Sequence, residues 1–507
     1  MDFLKRTFPF LLGIFLLSIL VRMPLLNRPL SKHHEFCTAI SLRVMQIWYD
    51  NGIDKYNYNP AMNFNNPADK FINNNANASG NMVDKEGNYY YVSHPPFAYY
   101  FPYTIFKILH VRPSVYALQT INLCFHFLSG LFIYFIVCLL SFNRARSYPY
   151  RSAIVAFVIY IFMPATMWLQ GNVYMSDMAV HLLFIISVYV VLKMIIRQRF
   201  NSFKYLFFYI LSLGLMIYTS WLGVFFAFGV LVYSLLKVQS IKGFRTLIWT
   251  TVTITLILLP LTIYQYSQIN GLDAYLGEMI NRYIQRGSLA DTGMGVFHFF
   301  ISYLWLLKTV IYNYLANYLV IYAFLLIFVW IAISRKKLKI IFSDNGYRFI
   351  WLSVTPVILM HVFFLKYSVQ DFTTLYASLF FSVLVGILYD KIKKTGTIPL
   401  RQMQWALTGV VVLMTAQYYV MNYRDSTHLA ETAGKEIVAN SAKEDVVFWI
   451  SDSYTVDPQT VFYAQRNIKE VKTADEAKAF LKQRNIATGV IFYVNPRGIK
   501  TEKITAL

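Results

Sequence analysis

The stretch FPFLLGIFLLSILVRMPLL, residues 8–26, decides the class of fold of this 507-residue chain. A helix of this length covers about 28 Å, close to the ~30 Å of hydrocarbon that a transmembrane helix must cross. Similar apolar runs recur along most of the sequence, in which 57% of the residues are hydrophobic and only 14% are charged. The sequence therefore predicts a polytopic α-helical membrane protein and excludes an ordinary soluble fold.

Basic residues mark the ends of these runs. Lys5 and Arg6 precede residues 8–26, and no small-residue cleavage site follows, which predicts an uncleaved first span with a cytoplasmic N-terminus. Later basic clusters lie in short loops on the side that alternation predicts, at 144–151, 193–204, 237–245, 335–339 and 391–394. The net charge of +21 follows from this topology, so we expect no nucleic-acid partner.

The pattern predicts about eleven spans and two long external segments. The spans are expected at 8–26, 114–141, 152–170, 177–196, 205–219, 222–238, 246–265, 315–333, 346–365, 372–389 and 404–421. A first external loop covers about 27–112, and a second external segment covers about 266–314.

The first external loop contains two contrasting stretches. Apolar residues recur at helical spacing between Ser31, a suitable N-cap, and Gly52, a suitable stop, which predicts an amphipathic helix on the membrane surface. The asparagine-rich stretch 57–81 is expected to be an exposed loop.

The sequence predicts two domains. Residues 1–421 are expected to form a membrane domain, and residues 422–507 are expected to form a small extracytoplasmic α/β domain. Apolar, β-rich segments alternate there with helical ones, as in a parallel sheet with crossover helices: VVFWIS, PQTVFYAQ, IKEV, ADEAKAFLKQRN and TGVIFYVN. The three cysteines form no CxxC pair, so the compartment is inferred from topology. A composition rich in Lys, Asn, Ile and Tyr suggests a bacterium, and thus its inner (plasma) membrane with the C-terminal domain in the periplasm.

Ionisable side chains near the span ends are the candidates for chemistry, because placing one in lipid costs about 2.5–3.5 kcal/mol. Glu35 follows His33 and His34 at the start of the first-loop helix, where the helix dipole favours the ionised carboxylate that a general base requires. A surface carboxylate beside its own helix cap is the alternative.

Asp177 and His94 are two further candidates. Asp177, in GNVYMSDMAV (171–180), opens the fourth span, either as part of a site or as a partner of the helix dipole. His94, in SHPPFAYYF (93–101), stands at a rigid corner set by two prolines, and this corner either lines a site or is purely architectural.

Arg282 and Arg286 are spaced i, i+4 in NRYIQRG (281–287), in a segment expected to be external. Positive charge there opposes the inside bias, which favours an anionic ligand such as a lipid phosphate. Interfacial snorkelling is the alternative.

Taken in order, HHEFCTAISLRVMQIW (33–48), SHPPFAYYF, GNVYMSDMAV and RYIQRG resemble motifs of the GT-C superfamily of membrane glycosyltransferases. The resemblance is to the branch that holds protein O-mannosyltransferases and bacterial lipid A aminoarabinose transferases. It covers the membrane part and extends to the C-terminal α/β domain found in many bacterial members.

The chain departs from this family at one position. The family's acidic pair is Asp-Glu, with the Asp as catalytic acid or base, and His34 stands at that position here. The resemblance then implies that Glu35 takes the proton, or His34 with Glu35 behind it, or that the chemistry is altered or lost. HHE also offers ligands for a divalent metal ion, which some relatives use, but its spacing does not define a site.

The resemblance implies an inverting glycosyltransferase that moves a sugar from a polyprenyl-phosphate carrier to an acceptor outside the membrane. Glu35 would deprotonate the acceptor, Asp177 would support that site or help hold a cation, and Arg282 and Arg286 would bind the phosphate, with His94 lining the cavity. The sugar and the acceptor, whether protein, lipid or glycan, are left open. The alternatives are a transporter or flippase of lipid-linked sugars, which would need charges at the membrane midplane, and an inactive relative.

Overall fold

A computed structural model describes residues 7–506 except 27, 32, 75–79, 142–149, 240, 288–295, 335–342, 396–398, 423–427 and 497. Lys5, Arg6 and the basic residues at 144–146 and 335–339, on which part of the predicted topology depends, lie outside the described residues.

Sixteen helices precede the C-terminal region in the described part of the chain. They are α1 Phe8–Leu26, α2 Glu35–Asn51, α3 Phe97–Ile108, α4 Val115–Ser141, α5 Tyr150–Phe162, α6 Pro164–Asn172, α7 Ser176–Arg197, α8 Phe203–Ile217, α9 Trp221–Lys237, α10 Phe244–Asn270, α11 Leu272–Arg286, α12 Val296–Ser334, α13 Asp344–Phe363, α14 Leu365–Ser368, α15 Ser378–Thr395 and α16 Leu400–Asn422. Each of the eleven predicted spans overlaps one of them or the pair α5 and α6.

By length and composition, seven of the described helices can cross a membrane, or eight if α5 and α6 together form one bent span. These two helices meet at 59°, where Pro164 begins α6 and cannot donate a backbone hydrogen bond to α5. Helices α8 and α9 are apolar but shorter, as the sequence predicts, and α16 is not among the seven. The chain is thus a polytopic α-helical membrane protein, which confirms the predicted fold class.

The second external segment was predicted too long. Helix α10 extends to Asn270, and α11 follows directly after Gly271. Helix α12 already begins at Val296, and its apolar window of 28 residues is Phe300–Ile327. Tyrosines and a lysine in 303–314 lowered the apparent hydrophobicity, so the predicted span at 315–333 begins too late.

Helix α2 has the predicted position but different surroundings. It begins at Glu35, after His34, and Ser31 does not cap it as predicted. Most of its residues are buried on all sides, including the polar Thr38, Ser41 and Gln46, because α3, α4 and the C-terminal region pack around it. It therefore does not lie on a lipid surface as predicted.

The C-terminal region contains the predicted α/β alternation. It comprises α17 Leu429–Asn440, β3 Val446–Ile450, α18 Pro458–Ala464, β4 Ile468–Glu470, α19 Ala474–Gln483, β5 Thr488–Asn495 and β6 Gly498–Thr505. The sheet has the order β4-β3-β5-β6, with β3 parallel to both β4 and β5 and with β6 antiparallel to β5. The sequence did not predict α17 or the antiparallel edge strand β6.

The asparagine-rich stretch is not an exposed loop in its described part. Residues 59–72 run between the helices and the C-terminal sheet, and Phe64 and Ile72 pack into the two hydrophobic cores of that sheet. Asn59, Asn63 and Asp69 are buried. A hairpin of β1 Asn81–Val83 and β2 Tyr89–Tyr91 follows and leads to α3.

Candidate active site

Two neighbouring histidines at the start of α2 face the same carboxylate. His34 has φ 61° and ψ 4°, a left-handed conformation uncommon for a residue with a side chain. This turn brings the His33 and His34 rings to a centroid distance of 3.8 Å. Their Nε2 atoms lie 2.9 Å and 2.6 Å from the two carboxylate oxygens of Asp371. We call His33, His34 and Asp371 the His–His–Asp cluster.

Asp371 comes from the connection between α13 and α15. After Phe363 the chain forms the short helix α14 and then a 3₁₀ turn at Asp371–Ala377, and most of this connection is buried, with Lys366 and Gln370 exposed. We call residues 365–377 the bridge segment.

The carboxylate of Glu35 is surrounded by hydrogen-bond donors. Arg28 donates to its two oxygens at 2.7 Å and 3.0 Å, the Ser31 amide donates at 2.8 Å, and Asn172 donates at 3.2 Å. The Glu35 side chain is 1% exposed. These four donors match the four lone-pair positions of a carboxylate. The surroundings therefore suit a fixed anion that anchors the loop before α2, and they argue against the predicted role of base.

Asp177, in the first turn of α7, is also completely buried. Tyr367 donates to Oδ2 at 2.8 Å, Ser176 donates to the same oxygen at 3.3 Å, and Tyr376 donates to Oδ1. Both tyrosines belong to the bridge segment. Asp177 thus ties this segment to α7, and its described partners are hydroxyl groups.

His94 lies beside the two predicted arginines. Arg286 donates to His94 Nε2 over 3.2 Å, so the imidazole carries its proton on Nδ1, which is buried without a hydrogen-bond partner among the described residues. Burial, together with the charges of Arg286 and Arg282, holds the pKa of His94 well below its usual value, so the ring is neutral. Burial and the charge of Arg286 lower the pKa of Arg282 as well. We call His94, Arg282 and Arg286 the cationic cluster.

The bridge segment connects the two clusters. Tyr367 places its ring 4.3 Å from the guanidinium carbon of Arg286 and its hydroxyl group on Asp177. Phe372 packs against Tyr367 at 5.4 Å on one side and against His34 at 5.0 Å on the other. The bridge segment thus contacts four of the predicted site residues, namely His34, Asp177, His94 and Arg286.

A cavity of about 350 Å³ adjoins the His–His–Asp cluster. Its other walls come from α6, α12 and the end of α16, and they include Trp168, Asn313, Asn317 and Asn422. Trp168 also fixes the site, because its indole N–H donates to the His33 carbonyl at 3.1 Å and its ring lies 5.4 Å from the Arg28 guanidinium carbon. Glu35, Asp177 and the cationic cluster do not line this cavity.

The site residues that were not predicted include Asp371, Arg28 and Tyr367. Asp371 directly precedes the predicted span at 372–389, just as Asp177 opens its own span, so the same rule could have found it. Arg28 and Tyr367 offered no such signal, because an arginine after an apolar run and a tyrosine at a span end are common in membrane proteins.

The helical bundle, the buried first loop and the C-terminal α/β unit together form a fold that matches solved structures of ArnT and of an archaeal oligosaccharyltransferase. No protein-family model matches the sequence, and no curated protein matches it. The likeness is therefore one of structure. It confirms the predicted resemblance at the level of the fold.

Three solved structures illustrate this likeness. ArnT from Cupriavidus metallidurans bound to undecaprenyl phosphate aligns over 96% of this chain and 93% of its own, with a TM-score of 0.61 and 14% identity. AglB from Archaeoglobus fulgidus with an inhibitory peptide and a dolichol-phosphate aligns over 100% and 75%, at a TM-score of 0.53 and 9% identity. The oligosaccharyltransferase of that organism in complex with Zn and sulfate aligns over 97% and 73%, at a TM-score of 0.54 and 12% identity. At these identities the likeness shows the fold.

Proposed function

We propose that the protein is an inverting glycosyltransferase that moves a sugar from a polyprenyl-phosphate carrier to an acceptor hydroxyl on the extracytoplasmic face of the membrane. The observation that carries this proposal is the bridge segment, which joins a buried cationic cluster to a basic imidazole–carboxylate cluster. A phosphate leaving group needs the cationic cluster, and an attacking hydroxyl group needs the imidazole–carboxylate cluster as a base.

The cationic cluster suits the phosphate of the carrier. Among the described residues Arg286 forms no ion pair, although it is only 6% exposed. The buried Arg286 Nε, His94 Nδ1 and Ser93 Oγ all lack hydrogen-bond partners there. A side chain at Gly80 would collide with Ser93 Oγ and approach Arg282 Nε, so glycine at this position lets Ser93 lie beside the cluster. An anion would satisfy these donors. The lipid phosphates bound to ArnT and AglB support this assignment.

The His–His–Asp cluster supplies the base. Because Asp371 accepts from Nε2 of both rings, each neutral imidazole keeps Nδ1 as its proton acceptor. We assign the proton to His33, whose side chain is 38% exposed, whereas that of His34 is 5% exposed. Asp371 stabilises the imidazolium, and His34 holds Asp371. This assignment replaces Glu35, and His34 with Glu35 behind it, as the predicted base.

The reaction then balances without a further reactant. The acceptor oxygen forms a bond to the anomeric carbon while its proton passes to His33, and the bond from that carbon to the phosphate oxygen breaks. The polyprenyl phosphate leaves with the electron pair and is stabilised by Arg286 and Arg282. Glu35 and Asp177 act as positioning residues, Glu35 through Arg28 and Asp177 through Tyr367.

The same three residues could hold a divalent metal ion. Their two imidazole nitrogens and one carboxylate oxygen lie within 4.8 Å of one another, and this nitrogen and oxygen donor set suits zinc. Asp177 does not belong to this group. A bound ion would supply Lewis-acid activation of the acceptor hydroxyl. The Zn complex of the archaeal oligosaccharyltransferase supports testing for a metal.

Transfer assays in reconstituted vesicles test the function. With a polyprenyl-phosphate sugar as donor, Arg286→Gln should weaken donor binding, and His33→Gln and Asp371→Asn should each slow transfer by about 10²–10⁴-fold. Arg112→Gln, which removes an exposed arginine paired with Asp50, is the matched control and should leave transfer unchanged. Unchanged donor affinity in Arg286→Gln would refute the phosphate site. Translocation of the donor without transfer would favour a transporter.

Replacing Glu35 tests its positioning role. In Glu35→Gln the buried Arg28 loses its counter-charge, so the free energy of unfolding should fall by about 3–5 kcal/mol. Combining it with Arg28→Met should recover part of this loss. If Glu35→Gln instead kept its thermal stability and lost only the transfer step, Glu35 would be the base after all.

Metal analysis separates the two modes of the His–His–Asp cluster. If the cluster holds zinc, the purified protein should contain about one ion per chain by mass spectrometry, and the content should fall in Asp371→Asn. Full transfer activity after chelation, with no metal in the protein, would leave the imidazole base as the acting group.

A further inference from the structure

The cavity beside the His–His–Asp cluster lacks, in its described walls, the permanently cationic side chains that a phosphate-binding site would need. No lysine or arginine lines it among the described residues, and Asp371 is its one carboxylate. Its volume of about 350 Å³ lies within the range of small-molecule sites. A phosphate or carboxylate group bound here would be repelled by the Asp371 carboxylate, and no lysine or arginine in the described lining would balance the two negative charges.

The polar groups of the wall are amides that the protein holds in fixed orientations. Asn313 Nδ2 donates to the Val369 carbonyl at 2.7 Å, and Asn317 Nδ2 donates to Thr374 Oγ1 at 2.9 Å. Each amide is therefore anchored to the bridge segment through its nitrogen, and its carbonyl end is a hydrogen-bond acceptor. Together with Asp371, these acceptors suit a ligand that brings several O–H donors.

An aromatic face completes this surface. Trp168 lines the cavity on α6, and Tyr312 lines it on α12. Flat apolar rings beside amide and carboxylate acceptors match the two kinds of surface of a sugar ring, its C–H face and its hydroxyl edge. The wall therefore matches an uncharged sugar.

We infer that this cavity is the acceptor site and that the acceptor is an uncharged sugar residue of a glycan or glycolipid. This inference rests on the proposed function, because it uses the proposed base. In an inverting transfer the attacking hydroxyl and the leaving phosphate lie on opposite sides of the anomeric carbon. The cavity adjoins the base, and the rings of Phe372 and Tyr367 connect His34, the neighbour of that base, to Arg286, so the group in the cavity is the attacking one.

Ligand-observed NMR with the detergent-solubilised full chain tests this acceptor site. The neutral probes are methyl glucoside and methyl N-acetylglucosaminide, and the anionic probes are glucose 6-phosphate and methyl glucuronide. The neutral glycosides should show saturation transfer, and the anionic ones should show none. Asn313→Leu should weaken neutral-glycoside binding by about five-fold, the equivalent of one hydrogen bond. Asn270→Leu, which replaces an exposed amide at the end of α10, should bind as the parent chain does.

The outcomes separate this inference from the proposed function. Arg286→Gln should lose affinity for polyprenyl phosphate and keep neutral-glycoside binding, because the two sites differ. Binding of the anionic probes in preference to the neutral ones would overturn the inference, as would equal affinity in Asn313→Leu and the parent chain. Failure of the parent chain to bind polyprenyl phosphate would overturn the proposed function, whatever the glycosides do.

Discussion

The backbone of His34 builds the His–His–Asp cluster. In extended or helical chain, two adjacent side chains diverge, whereas the left-handed turn at φ 61° directs both imidazoles to one carboxylate. Such a conformation costs about 1–3 kcal/mol at a residue with a side chain and persists only where its surroundings hold it. Trp168 provides such a restraint by binding the His33 carbonyl. Backbone strain thus coincides with the residues that we assign to proton transfer.

Neutral His94 makes stability depend on pH. Its pKa is far below 6.5 in the folded chain, whereas an unfolded histidine titrates near 6.5. Below about pH 6.5 the unfolded state therefore binds the extra proton, and the folded state loses up to about 1.4 kcal/mol per pH unit. We predict that thermal unfolding in detergent shifts to lower temperature between pH 7 and pH 5, and that His94→Gln reduces this shift.

Glutamine is the suitable replacement, because its amide oxygen can still accept from Arg286. His428→Gln is the control, since that histidine is exposed on the C-terminal unit. An identical pH shift in His94→Gln and the parent chain would contradict the neutral state of His94.

Sequence patterns located site residues better than they assigned roles. Glu35, Asp177 and Arg286 could be selected because burying a charge near lipid needs a reason. The role of Glu35 could not be predicted, because it depends on its contacts with Arg28 and Asn172. The contact between Asn172 and Glu35 spans 137 positions of sequence. Asp371 acts across 337 positions from His34, a pairing that no local pattern contains.

At the scale of elements, the bridge segment is the part that makes one site of two clusters. Its Tyr367 and Tyr376 bind Asp177, and its Asp371 binds both histidines. A regular helix could not direct Tyr367 and Tyr376 to Asp177 and also direct Asp371 to the two histidines over so few residues. The segment can do so because a 3₁₀ turn follows a four-residue helix.

Tyr367 has two separable functions in this segment. We predict that Tyr367→Phe lowers the free energy of unfolding by about 1–3 kcal/mol, because Asp177 loses a donor in a buried place. Its affinity for polyprenyl phosphate should stay unchanged, because the ring beside Arg286 remains. Tyr367→Leu should lose both stability and affinity, as measured by thermal unfolding and lipid binding.

Tyr116→Phe removes a hydroxyl group from a tyrosine that is 80% exposed and serves as the matched control. If Tyr367→Phe bound the lipid as poorly as Tyr367→Leu, the hydroxyl group, and not the ring, would position Arg286.

Helix positions followed from periodicity, whereas their surroundings did not. The range of α2 was predicted, but an apolar face looks the same whether lipid or protein covers it, so its burial was missed. The strands β3, β4 and β5 were predicted from apolar, β-rich runs, and β6 was missed because only Ile504 of its residues is buried.

At the scale of the whole molecule, the first loop and the C-terminal unit interlock. Asp69 is fully buried and pairs with Arg466 at 3.0 Å, and Asn467 binds both Asp69 and Phe64. The Leu30 amide donates to the Tyr463 hydroxyl at 2.9 Å, a few residues before the His–His–Asp cluster. The division of the chain at residues 421 and 422 stays a prediction, since Phe64 and Ile72 complete the cores of the C-terminal sheet.

This interlock gives a prediction for Arg466. In Arg466→Met the carboxylate of Asp69 stays buried without its counter-charge, so the free energy of unfolding should fall by about 3–5 kcal/mol, and limited proteolysis should begin to cut within residues 59–74. Lys482→Met, which removes an exposed cation in the last turn of α19, is the control. Combining Arg466→Met with Asp69→Leu should restore protection, and continued cutting in the double variant would show that other contacts of Arg466 matter more.

The buried Asp69–Arg466 pair also orders events during synthesis. Its two residues are 397 positions apart, so a ribosome must make almost the entire chain before the asparagine-rich stretch can be enclosed. Until then that stretch is exposed to solvent. Its many amide side chains keep it hydrated and oppose aggregation. The loop before α2 is held in place through Tyr463, so the His–His–Asp cluster reaches its observed geometry only after residues 463–466 have been translated.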